Sequence, residues 1–184
     1  MKATLFFIAF LINAFGSISQ TRKQSAERPQ QLSDSSLLEL VQKQNFRYFW
    51  DFAHPASGMA RERSNVTGEY GWETTTIGGT GFGILATIVA VERRWITRDT
   101  AVKRLLKLVN FLRKADKFHG AFPHWINGES GRVIPFSPKD DGADLVETAY
   151  LFEGLLCARQ FFGKKNQEEQ QLRNRITWLW NEVE

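Results

Sequence analysis

Apolar positions recur at helical spacing once the first thirty-odd residues are passed. Ser36-Leu37-Leu38-Glu39 reads as a capping box, and Leu38, Val41, Phe49 and Phe52 continue one face, predicting a helix that runs to Ala53. No period is sustained from His54 to Gly79, where Pro, Gly, Ser, Asn and Thr predict a long loop. Long loops in small domains usually carry function. Gly79-Thr80-Gly81-Phe82-Gly83 then opens into a run from Ile84 to Val91 that is apolar on every side. Its alanines and its continuation into Glu92-Arg93-Arg94 predict a buried helix over a strand. Thr97 caps an amphipathic helix with Val102, Leu105, Leu106, Val109 and Leu112 inward, and Lys103, Arg104, Lys107, Arg113 and Lys114 in water. A second long loop spans Lys117 to Asp141. A mostly apolar helix from Leu145 to Phe162 follows, stopped by Gly163. Asn166-Gln167-Glu168-Glu169 caps the last helix, whose stripe is Leu172, Ile176, Leu179 and Val183.

Helices apolar all round thus alternate with amphipathic ones. Two concentric layers produce that order, with inner helices covered by outer ones. The fold class expected is all-α, an (α/α) toroid of helical hairpins with no strand ladder, its long loops gathered at one end. About five helices do not close a double-layered ring, and the last stripe runs to Glu184 without a C-cap, so an incomplete barrel is expected.

The N-terminus stands apart from this pattern. Met1-Lys2, the apolar run Leu5 to Ile12, and small residues at Ala14/Gly16 or Ser17/Ser19 predict a secretory signal peptide over 1–19. The run is short for a membrane span, so the expectation is an exported protein, periplasmic or secreted, with no membrane association after cleavage. Residues 20–35 read as a disordered leader, and 36–184 as the folded domain. Asn65-Val66-Thr67 fits a glycosylation sequon. The single cysteine, Cys157, lies in an apolar helical pattern and is expected to be a buried, inert thiol. A formal charge of +4, with basic residues spread over polar helix faces, gives no coherent patch for nucleic acid.

The candidate chemistry sits before the apolar helix that begins at Leu145. Asp140, Asp141, Asp144 and Glu147 crowd the segment Lys139-Asp140-Asp141-Gly142-Ala143-Asp144-Leu145-Val146-Glu147. Asp144 and Glu147 share a helix face, and clustered carboxylates are expected to push some pKa values up, as a general acid requires. The same two residues also fit a capping box, Asp144 on the third amide and Glu147 reaching back. Trp72, Phe122, Trp125 and Phe136 are flat rings in loops among polar neighbours, a composition suited to sugar stacking as well as to covering a core. His119 and His124 lack the spacing of a metal site and suit hydrogen bonding to a hydroxyl or to backbone. Arg61 lies in the charge run Arg61-Glu62-Arg63, a cleft or surface feature. Gly79-x-Gly81-x-Gly83 lacks the Gly-Lys-Ser/Thr ending of a phosphate loop and is expected to serve close packing. No metal or cofactor is called for.

Several of these stretches together resemble one family. Phe46-Arg47-Tyr48-Phe49-Trp50-Asp51-Phe52, Gly58-Met59-Ala60-Arg61-Glu62-Arg63 and Thr76-Ile77-Gly78-Gly79-Thr80-Gly81-Phe82-Gly83 are similar to the glucoamylase-like domain of exported Bacteroidetes proteins. So are His119-Gly120-Ala121-Phe122-Pro123-His124-Trp125 and the acidic segment. That glycoside hydrolase family includes endo-β-1,2-glucanases. The resemblance covers the chain from about Leu37 to Glu184. It implies an (α/α)6 toroid, of which this chain would be the N-terminal half, and inverting hydrolysis of β-glucan. It carries a catalytic role to Asp140, Asp144 and Glu147. The aromatic, histidine and arginine candidates, Arg61, Trp72, His119, Phe122, His124 and Trp125, would then contact an oligo- or polysaccharide.

Overall fold

The computed structural model describes residues 32–64 and 73–183. The expected signal peptide, most of the leader, the sequon and Trp72 lie outside the described residues. Among the described residues, five helices carry the fold: α1 (Asp34–Trp50), α2 (Ile77–Glu92), α3 (Arg98–Leu112), α4 (Leu145–Phe161) and α5 (Gln167–Asn181). Three short strands stand between them: β1 (Thr74–Thr76), β2 (Trp125–Asn127) and β3 (Val133–Ile134).

The pair α2 and α4 forms the centre, and glycine explains how closely they approach. A Cβ on Gly81 would lie 2.1 Å from the Tyr150 carbonyl oxygen, and one on Gly154 would lie 2.4 Å from the Gly81 carbonyl oxygen. Backbone therefore meets backbone at this crossing, which only glycine permits. The glycine run expected to precede the helix is inside it, because α2 already begins at Ile77. Gly78 meets Glu147 in the first turn of α4, while Gly81 meets Tyr150 and Leu151 one turn on, so the two helices run parallel. Around them, α3 packs on α5 and α1 packs on α2. Leu105, Val109 and Leu112 of α3 and Leu172, Ile176 and Leu179 of α5 join Ile84, Leu151 and Leu155 in one continuous core.

Several sequence expectations require correction here. The stripe assigned to α1 is not its buried face: Leu38 and Val41 are exposed, and Phe46 is the buried residue, stacked on Trp50 and tilted against Trp95. That helix also starts earlier, capped by Ser33, whose hydroxyl accepts from the Ser36 amide at 3.3 Å. The inner helices are not buried all round. Phe82 and Val89 on α2, and Val146, Tyr150 and Leu156 on α4, are exposed, since no described element covers those faces. Cys157 is exposed for the same reason. Val183 lies beyond the end of α5 and is also exposed.

The strands were not expected, and they join the two long loops. They form an antiparallel sheet in the order β1-β2-β3, with Thr76 opposite Trp125 and Trp125 opposite Ile134. Runs of two or three residues are too short to display a period of two. A buried histidine ties the same loops. His54 Nδ1 accepts from the Ala56 amide, so its Nε2–H donates to Glu73 at 2.8 Å, and Gly128 packs on the imidazole face, where a Cβ would lie 2.5 Å from Cγ. As expected, both long loops gather at the end of the bundle where α2 and α4 begin.

At the opposite end, Arg98 at the start of α3 grips the buried Glu169 of α5 through two bonds of 2.8 and 3.0 Å. Its guanidinium lies over the Phe161 and Phe162 rings and donates to the Phe161 carbonyl.

Candidate active site

The parallel arrangement of α2 and α4 places two helix N-termini side by side beneath the sheet. Each start leaves amides without intrahelical partners and carries the positive end of a macrodipole. Each is met by a carboxylate. Asp144 is the N-cap of α4, its Oδ1 accepting from the Val146 and Glu147 amides at 2.9 and 3.0 Å. This half of the capping box holds. The reciprocal half does not: the Asp144 amide donates to the Phe122 carbonyl at 2.7 Å, and Glu147 turns to the neighbouring helix instead. There Glu147 Oε2 accepts from the Gly78 amide at 2.8 Å and from the Thr76 hydroxyl at 3.1 Å.

The second oxygen of Asp144 is also engaged. Oδ2 lies 2.8 Å from His124 Nδ1. His124 in turn meets the edge of Trp125 at 5.2 Å and Phe136 at 4.8 Å, and Trp125 and Phe136 lie 4.9 Å apart. The side chains of Asp144 and His124 are each about a third exposed, and Phe136 is 53% exposed. Burial pushes the Asp144 carboxyl upward, but bonds from the Glu147 amide, His124 and the Val146 amide outweigh it and hold its pKa below the ordinary 3.8. The rise expected from carboxylate crowding is therefore absent at Asp144, which is ionised at neutral pH. With Asp144 ionised, His124 donates from Nδ1, leaving Nε2 as its acceptor.

The other candidates fall in different places. Asp140 is exposed in the turn Ser137-Pro138-Lys139-Asp140, closed by its amide on the Ser137 carbonyl at 3.0 Å; its own carbonyl accepts from the Phe136 amide. Asp141 lines an open cleft of about 730 Å³ beside the site, with Phe118, Pro123 and Leu145. His119 is exposed, in the left-handed region at φ 51°, with its ring edge-on to Phe118. That turn is seated on the end of α5, where Gly120 leaves no room for a Cβ against the Glu182 carbonyl.

Two candidates are corrected by burial. Phe122 is 0% exposed and packs on Phe152, so its ring belongs to the core and not to a sugar platform. Its backbone nonetheless serves the site by bonding Asp144 and the Thr148 hydroxyl. Arg61 is buried against the end of α1, where its Nε donates to the Phe52 carbonyl at 3.1 Å and its guanidinium lies over the Phe52 ring. Thr76 and Gly78, which hold Glu147, were missed as site residues. Their partner is 71 and 69 positions away, a separation no local pattern spans. Among the described residues, no cluster of His, Cys, Asp and Glu could hold a metal ion, and no helix is long and apolar enough to cross a membrane.

No family model matches the chain. Individual relatives do. It is 50% identical over 154 residues to an exo β-1,2-glucooligosaccharide sophorohydrolase (non-reducing end) of Parabacteroides distasonis, a match covering 83% of this chain and 21% of that protein. The solved endo-β-1,2-glucanase of Chitinophaga pinensis, in complex with sophorotriose and glucose, matches at 51% identity and a TM-score of 0.81 over 83% of this chain and 37% of that one. A glucoamylase-like protein of Bacteroides uniformis matches at 55% identity and a TM-score of 0.80, over 84% of this chain and 37% of that one. The chain thus spans about a fifth of the curated relative and little more than a third of these two solved chains. The inner and outer helices read from the sequence agree with these neighbours, which are (α/α) toroid enzymes. Its homologues and structural neighbours are glucoamylase-like proteins of Bacteroidetes, endo-β-1,2-glucanases among them, and the chain corresponds in sequence and fold to part of such a protein.

Proposed function

We propose that this chain carries part of the active site of a glycoside hydrolase acting on β-1,2-linked glucan by an inverting mechanism. The observation that carries the reading is the pair of carboxylates at neighbouring helix starts beside the His124, Trp125 and Phe136 rings. Aromatic faces stack on the apolar faces of sugar rings, while fixed carboxylates and a histidine acceptor take up the hydroxyls. Relatives about half identical to this chain act on β-1,2-glucans and their oligosaccharides, which supports the substrate class.

Inversion needs one protonated carboxyl at the leaving oxygen and one carboxylate that activates water, roughly 6.5–9.5 Å apart. Asp144, ionised and bonded through both oxygens, suits the second role or the orientation of His124. Glu147 has Oε2 engaged and, among the described residues, no hydrogen bond to Oε1, leaving that oxygen for substrate. Asp140, exposed on its turn, is a further acid, base or hydrogen-bond partner. Trp125 and His124 bind sugar in this reading, and His119 extends the contact along the rim.

Incubating the purified chain with linear β-1,2-glucan tests this directly. Release of β-1,2-glucooligosaccharides, reduced at least a hundredfold by Glu147→Gln or Asp144→Asn, is the expected result. Absence of both cleavage and binding would reject the substrate class. A second reading, a glucan-binding module without turnover, is favoured by the full engagement of Asp144; binding without product release would establish it. We also propose that residues 1–19 direct export. Secreted material beginning between Ser17 and Gln20 would support this, and uncut cytoplasmic chain would refute it.

A further inference from the structure

Glu147 is held from outside its own helix, and the manner of holding is specific. Thr76 is the N-cap of α2, yet its side chain makes no capping bond to that helix. Its hydroxyl donates instead to Glu147 Oε2 at 3.1 Å, and the Gly78 amide donates to the same oxygen at 2.8 Å. A carboxylate from α4 thus occupies the place that the Thr76 side chain would ordinarily fill. The two neighbouring glycines make room for this. A Cβ on Gly78 would lie 2.8 Å from Glu147 Oε2, and one on Gly79 would lie 2.4 Å from the Thr76 methyl. The first therefore keeps space for the carboxylate, and the second keeps space for the threonine rotamer that serves it. Thr76 is itself fixed at the other side, paired with Trp125 across the sheet.

We propose that Thr76 and Gly78 are positioning residues for Glu147, fixing Oε2 so that Oε1 is presented to the glucan beside Trp125. The assignment rests on the glucan-hydrolase reading above. A free glutamate samples several rotamers, and a reacting group out of place by about 1 Å can cost on the order of a hundredfold in rate. Two donors on one oxygen remove that freedom while leaving the other oxygen without a partner among the described residues. The sheet links the carboxylate to the ring platform through one residue, Thr76.

The test compares Thr76→Val, Thr76→Ser and Gly78→Ala in the full chain, measuring kcat and KM on β-1,2-glucooligosaccharides together with thermal melting. Valine keeps the shape of threonine and removes the donor; serine keeps the donor. We expect kcat to fall at least tenfold in Thr76→Val and Gly78→Ala with KM changed less than threefold. Thr76→Ser should return kcat to within about threefold of wild type. A merely structural role would lower the melting temperature of Thr76→Val and leave the kcat of the folded protein unchanged. Active wild type with Thr76→Val unimpaired, or with Thr76→Ser as impaired as Thr76→Val, overturns this inference and leaves the glucan reading standing. If Gly78→Ala fails to fold, the threonine pair decides alone. A wild-type chain that binds these oligosaccharides without cleaving them overturns this inference, and one that neither cleaves nor binds them overturns both.

Discussion

Asp144 joins local and tertiary roles in one side chain, one oxygen on the α4 amides and the other on His124. Its folded pKa is lowered, so the stability it contributes is present above the unfolded value of 3.8 and is lost as pH falls through the folded value. Asp144→Ala should therefore destabilise the chain by roughly 0.5–2 kcal/mol at neutral pH, the usual worth of an N-cap. The difference from wild type should shrink in melts below pH 3.8. A deficit unchanged down to the acid limit would show that packing, and not the ionised cap, is responsible. Both readings of this residue were legible in the sequence, but its bond to His124 was not, because His124 is 20 positions away.

At the scale of elements, the α2–α4 crossing depends on glycine. Gly81→Ala places a methyl 2.1 Å from a carbonyl oxygen of the backbone, which cannot yield as a flexible side chain would. A loss of about 3 kcal/mol or more is expected in denaturant unfolding. Gly142→Ala is the control, with nothing within 4 Å of the added carbon, and should change stability by less than about 0.5 kcal/mol. Equal effects at the two sites would discredit the backbone contact. The outer helices depend on an ion pair. The Arg98 guanidinium bonded to Glu169 outweighs burial and depresses the carboxyl from 4.5 to about 2. The sign follows as for Asp144: this stability is complete above pH 4.5 and declines as pH falls toward about 2. The shift corresponds to about 3 kcal/mol, at roughly 1.4 kcal/mol per unit. Glu169→Gln should lose a comparable amount at neutral pH, since it leaves Arg98 without its charge partner. An unchanged melting temperature at pH 7 would contradict the assignment.

Across the whole molecule, cohesion is uneven. The centre is continuous from Ile84 through Leu151 and Leu155 to Leu172 and Ile176, while the first half of α1 exposes Leu37, Leu38, Leu40 and Val41. Local opening is easiest where few apolar groups are buried. Hydrogen exchange should therefore protect the amides of α2 and α4 most strongly and those of 37–41 least. Comparable protection in α1 and α4 would indicate that the exposed face of α1 is covered in solution. The exposed stripe of Phe82, Val89, Tyr150 and Leu156 is likewise a property of the assembled helices, since an apolar sequence does not say which face of a helix another element will cover.

Helix positions were largely written in the sequence because a helix is a local structure: periodicity and caps at Thr97, Asp144 and Asn166 act within four residues. The alternation of inner and outer helices was legible for the same reason, as composition along a helix records how many of its faces meet other atoms. The carboxylates, His124 and Trp125 could be nominated by type and order. Tertiary structure alone decided which of them meet. It buried Phe122 and Arg61, exposed Cys157, joined the long loops through strands too short to show a period, and sent Glu147 across to α2. Each of those outcomes depends on two segments distant in the chain reaching the same point in space. The direction of a side chain within a loop, and the partner of a carboxylate at a helix start, are set by that encounter and not by neighbours in sequence.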